Sequence, residues 1–328
     1  MTLQESRAIN FVRFICIIAL VLLHTRVVHL SAPTIAEPLG RVQNLISLPF
    51  LPILFLISSY LFFYKKKRQT TKHWVSTIWP TKLRKRVKSL LIPYAIWCAI
   101  AIAYNHFVKQ DPLPSGIRDW LIQFWDAGSG HPIGKAMWYI KSLMVFSLLA
   151  PLYYYAVKLL KHTTLVLVMV LIVVDVPIDY PYFSNWLLLG SYLAIMNISF
   201  CDIVEKLDWR ICLIFYLLLK LPPIAGWHID ISTFALTLCC FAALFGLGMR
   251  HSISSRLAAT SSFVYFLHPY IQGVRNIFIK LADTSSLLQC TMTWLITAAT
   301  VLVVCIGLFI LMKKFTPRIL AITTGDRI

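Results

Sequence analysis

The chain has 328 residues, of which 59% are hydrophobic and only 13% charged, with a mean hydropathy of +0.74. Soluble domains carry roughly 25% charged residues, so a soluble fold is excluded, and at about 20 apolar residues per membrane helix the chain has room for about nine or ten spans. The 31 basic and 13 acidic residues leave a net charge of +18, which in so apolar a chain reads as membrane topology and not as a nucleic-acid surface.

In chain order, apolar runs predict ten helices at approximately 8–30, 44–64, 89–107, 137–157, 163–177, 183–200, 211–226, 231–249, 258–280 and 288–312. The fold class expected is therefore all-α, a polytopic membrane helix bundle. The first run is longer than the roughly 7 to 15 residues of a signal-peptide core and is expected to stay as an anchor. The fifth helix is cut short by Pro177, and the seventh is interrupted by Lys220, Pro222 and Pro223. Alternate loops differ in charge: with the N-terminus inside, the inner segments hold about 21 basic residues, ten of them between Lys65 and Lys88, against about six outside. Positive charge is retained in the cytoplasm, so both termini are expected there. Trp97, Trp120, Trp125, Trp138, Tyr153, Trp186, Trp209 and Trp227 fall near predicted helix ends and read as an interfacial belt. Neither a repeat nor a long polar linker is evident, so residues 1–328 are expected to form one integral domain with no appended soluble domain. The eight cysteines show no C-x-x-C or Cys/His zinc spacing, so they read as small buried apolar residues and no metal site is expected.

Ionisable groups inside a bilayer are costly, about 2.5 to 3.5 kcal/mol at its centre on insertion scales, and mark functional positions. Arg13, Lys141, Lys220 and Arg275 fall in neither loop tally, and His24 and His268 lie within predicted spans. Arg13 and His24 are eleven residues apart, a rotation about 20° beyond three full turns and a rise of about 16 Å. They share one face of the first helix at different depths, Arg13 shallow and His24 in the outer half. The basic segment ending at Arg86 and Lys88 serves positive-inside sorting and anionic lipid, and offers a docking surface for a polyanion such as the phosphates of coenzyme A. Lys141 lies just inside the outer boundary, where it either snorkels outward or points into a pocket. His268 precedes Pro269, whose missing N–H frees the carbonyl of Tyr265. The longest outer loop contains GSGHPIGK, Gly128 to Lys135.

Six segments together carry a family resemblance: NFVRFICIIALVLLH at 10–24 with its R-x10-H pattern, FLISSYLFF at 55–63, LRKRVKSLLIPYAIW at 83–97, MWYIKSLMVFSLLAP at 137–151, NWLLLGSYL at 185–193 and SSFVYFLHPYI at 261–271. In this order they resemble the acyltransferase 3 family of multi-pass membrane O-acyltransferases that modify bacterial surface glycans. The chain departs from the family pattern at Asn10, where an acid is common, at Phe14, where Gly is common, and at Ser58-Ser59 in place of Ser-Gly.

The resemblance implies a bacterial inner or plasma membrane enzyme that moves an acyl group, most often acetyl, from cytoplasmic acyl-CoA to a hydroxyl of a surface or lipid-linked glycan. Acyl-CoA is then a cosubstrate, no tightly bound cofactor is expected, and the partners are membrane lipids and the saccharide acceptor. Carried onto this sequence, His24 is the general base, Arg13 binds polar groups of the donor, Arg86 and Lys88 form its cytoplasmic entrance, Lys141 stabilises an oxyanion or binds acceptor, and His268 is a pocket residue. The absence of G-x-S-x-G favours direct transfer over a covalent serine intermediate. The alternative is a transporter or exporter of a glycan or lipid-linked intermediate, which interruptions near Pro222 and Pro269 would suit.

Overall fold

The structure, a computed structural model, describes residues 1–27, 31–47, 49–64, 70–126, 137–173, 184–219 and 229–325. It is 87% helical and, among the described residues, has no strand. In chain order the helices are α1 (Leu3–His24), α2 (Pro33–Ser47), α3 (Phe50–Phe63), α4 (Thr71–Lys109, with π-helical turns at Trp74–Ile78 and Val87–Leu91), α5 (Ile117–Trp125), α6 (Trp138–Leu160), α7 (Thr164–Val173), α8 (Ser184–Ile195), α9 (Phe200–Lys206), α10 (Trp209–Leu218), α11 (Ile229–Arg250), α12 (Ser255–Ile271), α13 (Arg275–Ile279), α14 (Leu287–Phe315) and α15 (Pro317–Thr324).

Each of the ten predicted apolar runs contains a helix, but among the described residues six helical stretches are long and apolar enough to cross a membrane, or seven if one bent pair is a single span. The physical reasons for the lower number are local. The fourth and fifth runs fall within one stretch, Trp138–Ile172, and α8 and α9 are bent by 106° across a break. At that break Asn197 takes a left-handed φ of 59°, a conformation Asn tolerates better than most residues. The seventh run is cut to ten residues, with Lys220, Pro222 and Pro223 outside the described residues, as is the GSGHPIGK segment. In the ninth, the helix gives way to a 3-10 turn at Gln272–Val274, shortly after Pro269.

Two helices lie where the sequence reads as loop. In α2, Pro33 occupies the first helical position, where its missing N–H is harmless, and Ile35 and Leu39 bury one stripe against Trp294, Cys290 and Ile279. In α5, the helix ends beside α4 and α6: Tyr94 donates to the carbonyl of Phe124 and Lys141 to that of Trp125.

The bundle is held by polar ties that cross the sequence. Thr2 caps α1 by accepting from Glu5 N at 3.1 Å. The Glu5 carboxylate, 1% exposed, accepts from Tyr60 Oη at 2.8 Å and Phe200 N at 3.1 Å, fastening α1 to α3 and to the start of α9. Trp294 Nε1 donates to Leu22 O at 2.9 Å, so the start of α14 meets the end of α1. Trp97 and Trp186 are buried in the core instead of standing in an interfacial belt. Trp97 stacks on Phe266 with ring centroids 5.7 Å apart and donates to Thr323 O at 3.0 Å, which seats α15 against α4.

Candidate functional site

A cavity of about 460 Å³ opens where α1, α3, α4, α6 and α12 converge. It begins at Asn10, Arg13 and Ile17 on α1, positions three and four residues apart that share a helix face. Arg86 enters from α4, immediately before the π-helical turn Val87–Leu91. Such turns insert an extra residue and re-aim the side chains beside them. The Arg86 guanidinium lies 5.4 Å from the centre of the Phe62 ring, and Lys82 packs over the same ring while donating to the Phe62 carbonyl.

Among the described residues, the cavity wall contains two guanidinium groups and no Asp or Glu. The only ion pair among the described residues joins Arg41 to Glu37 within α2, away from this wall. Guanidinium donors form charge-assisted bonds with phosphate or carboxylate, so a pocket lined by two arginines has the chemistry to receive an anion. Ser58, Ser255, Ser261 and Ser262 add hydroxyls, and Ser58 Oγ is 2.8 Å from Tyr139 Oη.

Tyr139 and Tyr265 close the far wall with ring centroids 5.6 Å apart. Tyr265 is also the link to the histidines, its ring 6.3 Å from that of His268. The His268 ring in turn lies 5.0 Å from that of His24, tilted by 49°. His268 is fully buried, and its Nδ1 lies 3.1 Å from Val264 O and 2.8 Å from Tyr265 O. Carbonyls only accept, so Nδ1 carries the proton. The carbonyl of Tyr265 that Pro269 leaves without its helical donor is thus taken by the neighbouring histidine.

The residues singled out from sequence separate into three groups. Arg13 and Arg86 line one cavity. His24 on α1 and His268 on α12 form a ring pair beyond Tyr265, whereas the arginine pair joins α1 to α4. Lys88 and Lys141 stand apart. Lys88 is exposed and does not border the cavity. Lys141 is fully buried, with Nζ 2.6 Å from Trp125 O and 4.6 Å from the centre of the Trp125 ring. It supports α5 and is not part of the cavity wall, although its neighbours Tyr139 and Ile140 are. Arg275 donates to Arg26 O at 2.9 Å. Among the described residues no cluster of three or more His, Cys, Asp or Glu side chains converges. Sequence reasoning did not select Asn10, Ser58, Tyr139 or the Tyr265 ring as site residues. The one signal was that Asn10 and Ser58 stand at or beside departures from the family pattern.

Comparison with known proteins adds one finding to this geometry. A family model described as an acyltransferase domain matches residues 6–313, nearly the whole chain. No curated protein and no solved structure matches.

Proposed function

The chain belongs to the acyltransferase 3 family and is a multi-pass membrane acyltransferase; from that premise we propose that it transfers an acyl group, acetyl in the first instance, from acyl-CoA to a hydroxyl of a surface or lipid-linked glycan. The observation that carries this reading is the carboxylate-free cavity holding Arg13 and Arg86, with His24 farther along the same helix. The phosphates and pantetheine amides of the donor supply the charge and hydrogen-bonding groups such a cavity lacks. The cavity then opens toward the cytoplasm, with both termini on that side of a bacterial inner or plasma membrane. The whole chain acts as one integral domain, and its shorter helices complete the spans.

A sugar hydroxyl is a weak nucleophile near neutral pH. In the proposed step its oxygen attacks the thioester carbonyl while its proton passes to His24, giving a tetrahedral intermediate. Collapse of that intermediate breaks the C–S bond, and His24 returns the proton to the departing CoA sulfur. The products are the acyl ester and CoA–SH, with no covalent enzyme intermediate. Positioned acid–base catalysis of this type contributes about 10²- to 10⁴-fold.

The test is acceptor-dependent release of CoA from acetyl-CoA by detergent-purified protein, with surface-glycan extracts as acceptors. We expect release by the wild type and a fall of at least about 10²-fold in folded His24→Ala. Release that is indifferent to His24→Ala would discard the base. Silence of the wild type with every acyl-CoA offered would favour an exporter, a reading to which the 106° break between α8 and α9 is also suited.

A further inference from the structure

Resting on the acyl-transfer reading, we propose that His268 is the positioning partner of His24: its Nε2 accepts the hydrogen bond that fixes the tautomer and orientation of the base. The inference starts from an imbalance in how His268 is bonded. Its Nδ1 faces two backbone carbonyls, whereas its Nε2 is buried and makes no hydrogen bond. Because Nδ1 holds the proton, neutral His268 presents a lone pair at Nε2. A buried acceptor without a donor calls for an explanation, and among the described residues His268 Nε2 is the one such atom that lies in a histidine ring packed against His24.

The donor nearest in chemistry is the His24 ring, 5.0 Å away between centroids. A histidine that acts as a base needs one nitrogen free toward the hydroxyl and the other, N–H, held in place. A carboxylate commonly does the holding, but none lines the adjoining cavity and no salt bridge reaches either ring among the described residues. His268 offers a neutral acceptor in that place. The rings are tilted by 49° and not hydrogen-bonded in this state. Catalytic hydrogen bonds are often long without substrate and tighten in the reacting complex. During transfer the hydroxyl proton moves to His24, the His24 N–H to His268 Nε2 bond strengthens as His24 becomes cationic, and the proton then leaves with the CoA sulfur. His268 gains and loses no proton in the cycle.

Pro269 belongs to the same device. Without a backbone N–H at position 269, the Tyr265 carbonyl is available to hold His268 Nδ1. The proline thus frees the nearer of the two carbonyls that hold His268 Nδ1.

Two amide substitutions separate this role from a structural one. In His268→Asn the amide can still donate to the Tyr265 carbonyl but does not reach the position of Nε2. In His268→Gln the amide oxygen reaches that position and the bond to the carbonyl is given up. We expect His268→Gln to keep kcat within about tenfold of wild type and His268→Asn to lose about 10²-fold, both with an unchanged KM for acetyl-CoA. The reverse order, or two variants equal to wild type, would overturn the proposal and leave His268 as a helix-packing residue.

A measurement independent of turnover covers the case in which a variant fails to fold. ¹⁵N spectra of histidine-labelled wild type and His24→Ala should show His268 protonated at Nδ1, with an Nε2 signal that moves when the His24 ring is removed. An Nε2-protonated His268, or a signal indifferent to His24, would sink the pairing. A wild type that shows this coupling yet releases no CoA would count against acyl transfer and leave the pair standing.

Discussion

The seam between α3 and α8 and the seam between α1 and α12 both bring helices together along small residues, yet one is filled and the other is partly open. At Gly190 on α8, a Cβ would overlap the Ser59 hydroxyl and the Leu56 carbonyl of α3. Ser59 bonds back to Phe55 O and Leu56 O, each at 3.1 Å, so its hydroxyl is satisfied within its own helix at the contact. Along α1 and α12, by contrast, Arg13, Ala258, Ala259 and Ser262 border empty space before the helices meet at His24 and His268. Lipid tails are as apolar as leucine, so close packing and hydrogen bonds must hold membrane helices together. The first seam supplies that cohesion, and the second leaves room for a ligand at the expense of it. Stability and chemistry are therefore expected to respond to different substitutions.

The largest test of this division is Gly190→Ala. One added methyl has no space against a backbone carbonyl, and overpacking of this kind costs about 1–3 kcal/mol or more. We expect a clear fall in melting temperature in detergent, with loss of monodisperse protein. Unchanged stability would mean that the seam has slack and that the contrast drawn here is wrong. An effect of the opposite kind, on binding and not on stability, is expected from Arg86→Ala. Bonds to charged groups contribute about 1.5–3 kcal/mol, so KM for acyl-CoA should rise about ten- to a hundredfold with melting temperature unchanged. Arg86→Lys should recover only part of the loss, because a point charge does not reproduce the guanidinium fork. A loss confined to kcat would move Arg86 from donor binding to the reacting centre.

How far the sequence anticipated these two seams depends on the range of the interactions. Apolar runs locate a helix in each of the ten stretches because hydrophobicity is local, and the Arg13 to His24 spacing is helical arithmetic. What a run does not reveal is whether it bends, as α8 and α9 do, or shortens, as α10 does. Helix α2 falls largely outside the apolar runs because it carries Pro33, Pro38 and Gly40, although Ile35 and Leu39 stand four residues apart on one face. Glu5 stands ahead of the first apolar run, with no partner near it in sequence but the Thr2 cap. Its meaning lies in Tyr60 and Phe200, 55 and 195 residues away. Tyr139 and Tyr265 resembled any aromatic near a helix end or core, and only the convergence of α6 with α12 turns them toward the cavity. The alternative roles of Lys141, snorkelling or pocket, depended on where α5 folds, and α5 covers it with the Trp125 carbonyl and ring.

The smallest expected effect comes from Lys88, two residues beyond Arg86 on α4. On an ideal helix two residues are separated by 200°, which places their side chains on nearly opposite faces. The π-helical turn that begins at Val87 alters this spacing, but Lys88 remains exposed while Arg86 borders the cavity. An exposed lysine acts through a solvent-screened field, which falls off over about 8 Å at physiological ionic strength. Lys88→Ala should therefore change KM for acyl-CoA by less than about threefold in 0.15 M salt, with the difference widening at low salt. A Lys88→Ala penalty equal to that of Arg86→Ala at both ionic strengths would require direct contact with the donor. The binding surface would then extend beyond the α1–α12 opening onto the basic face of α4.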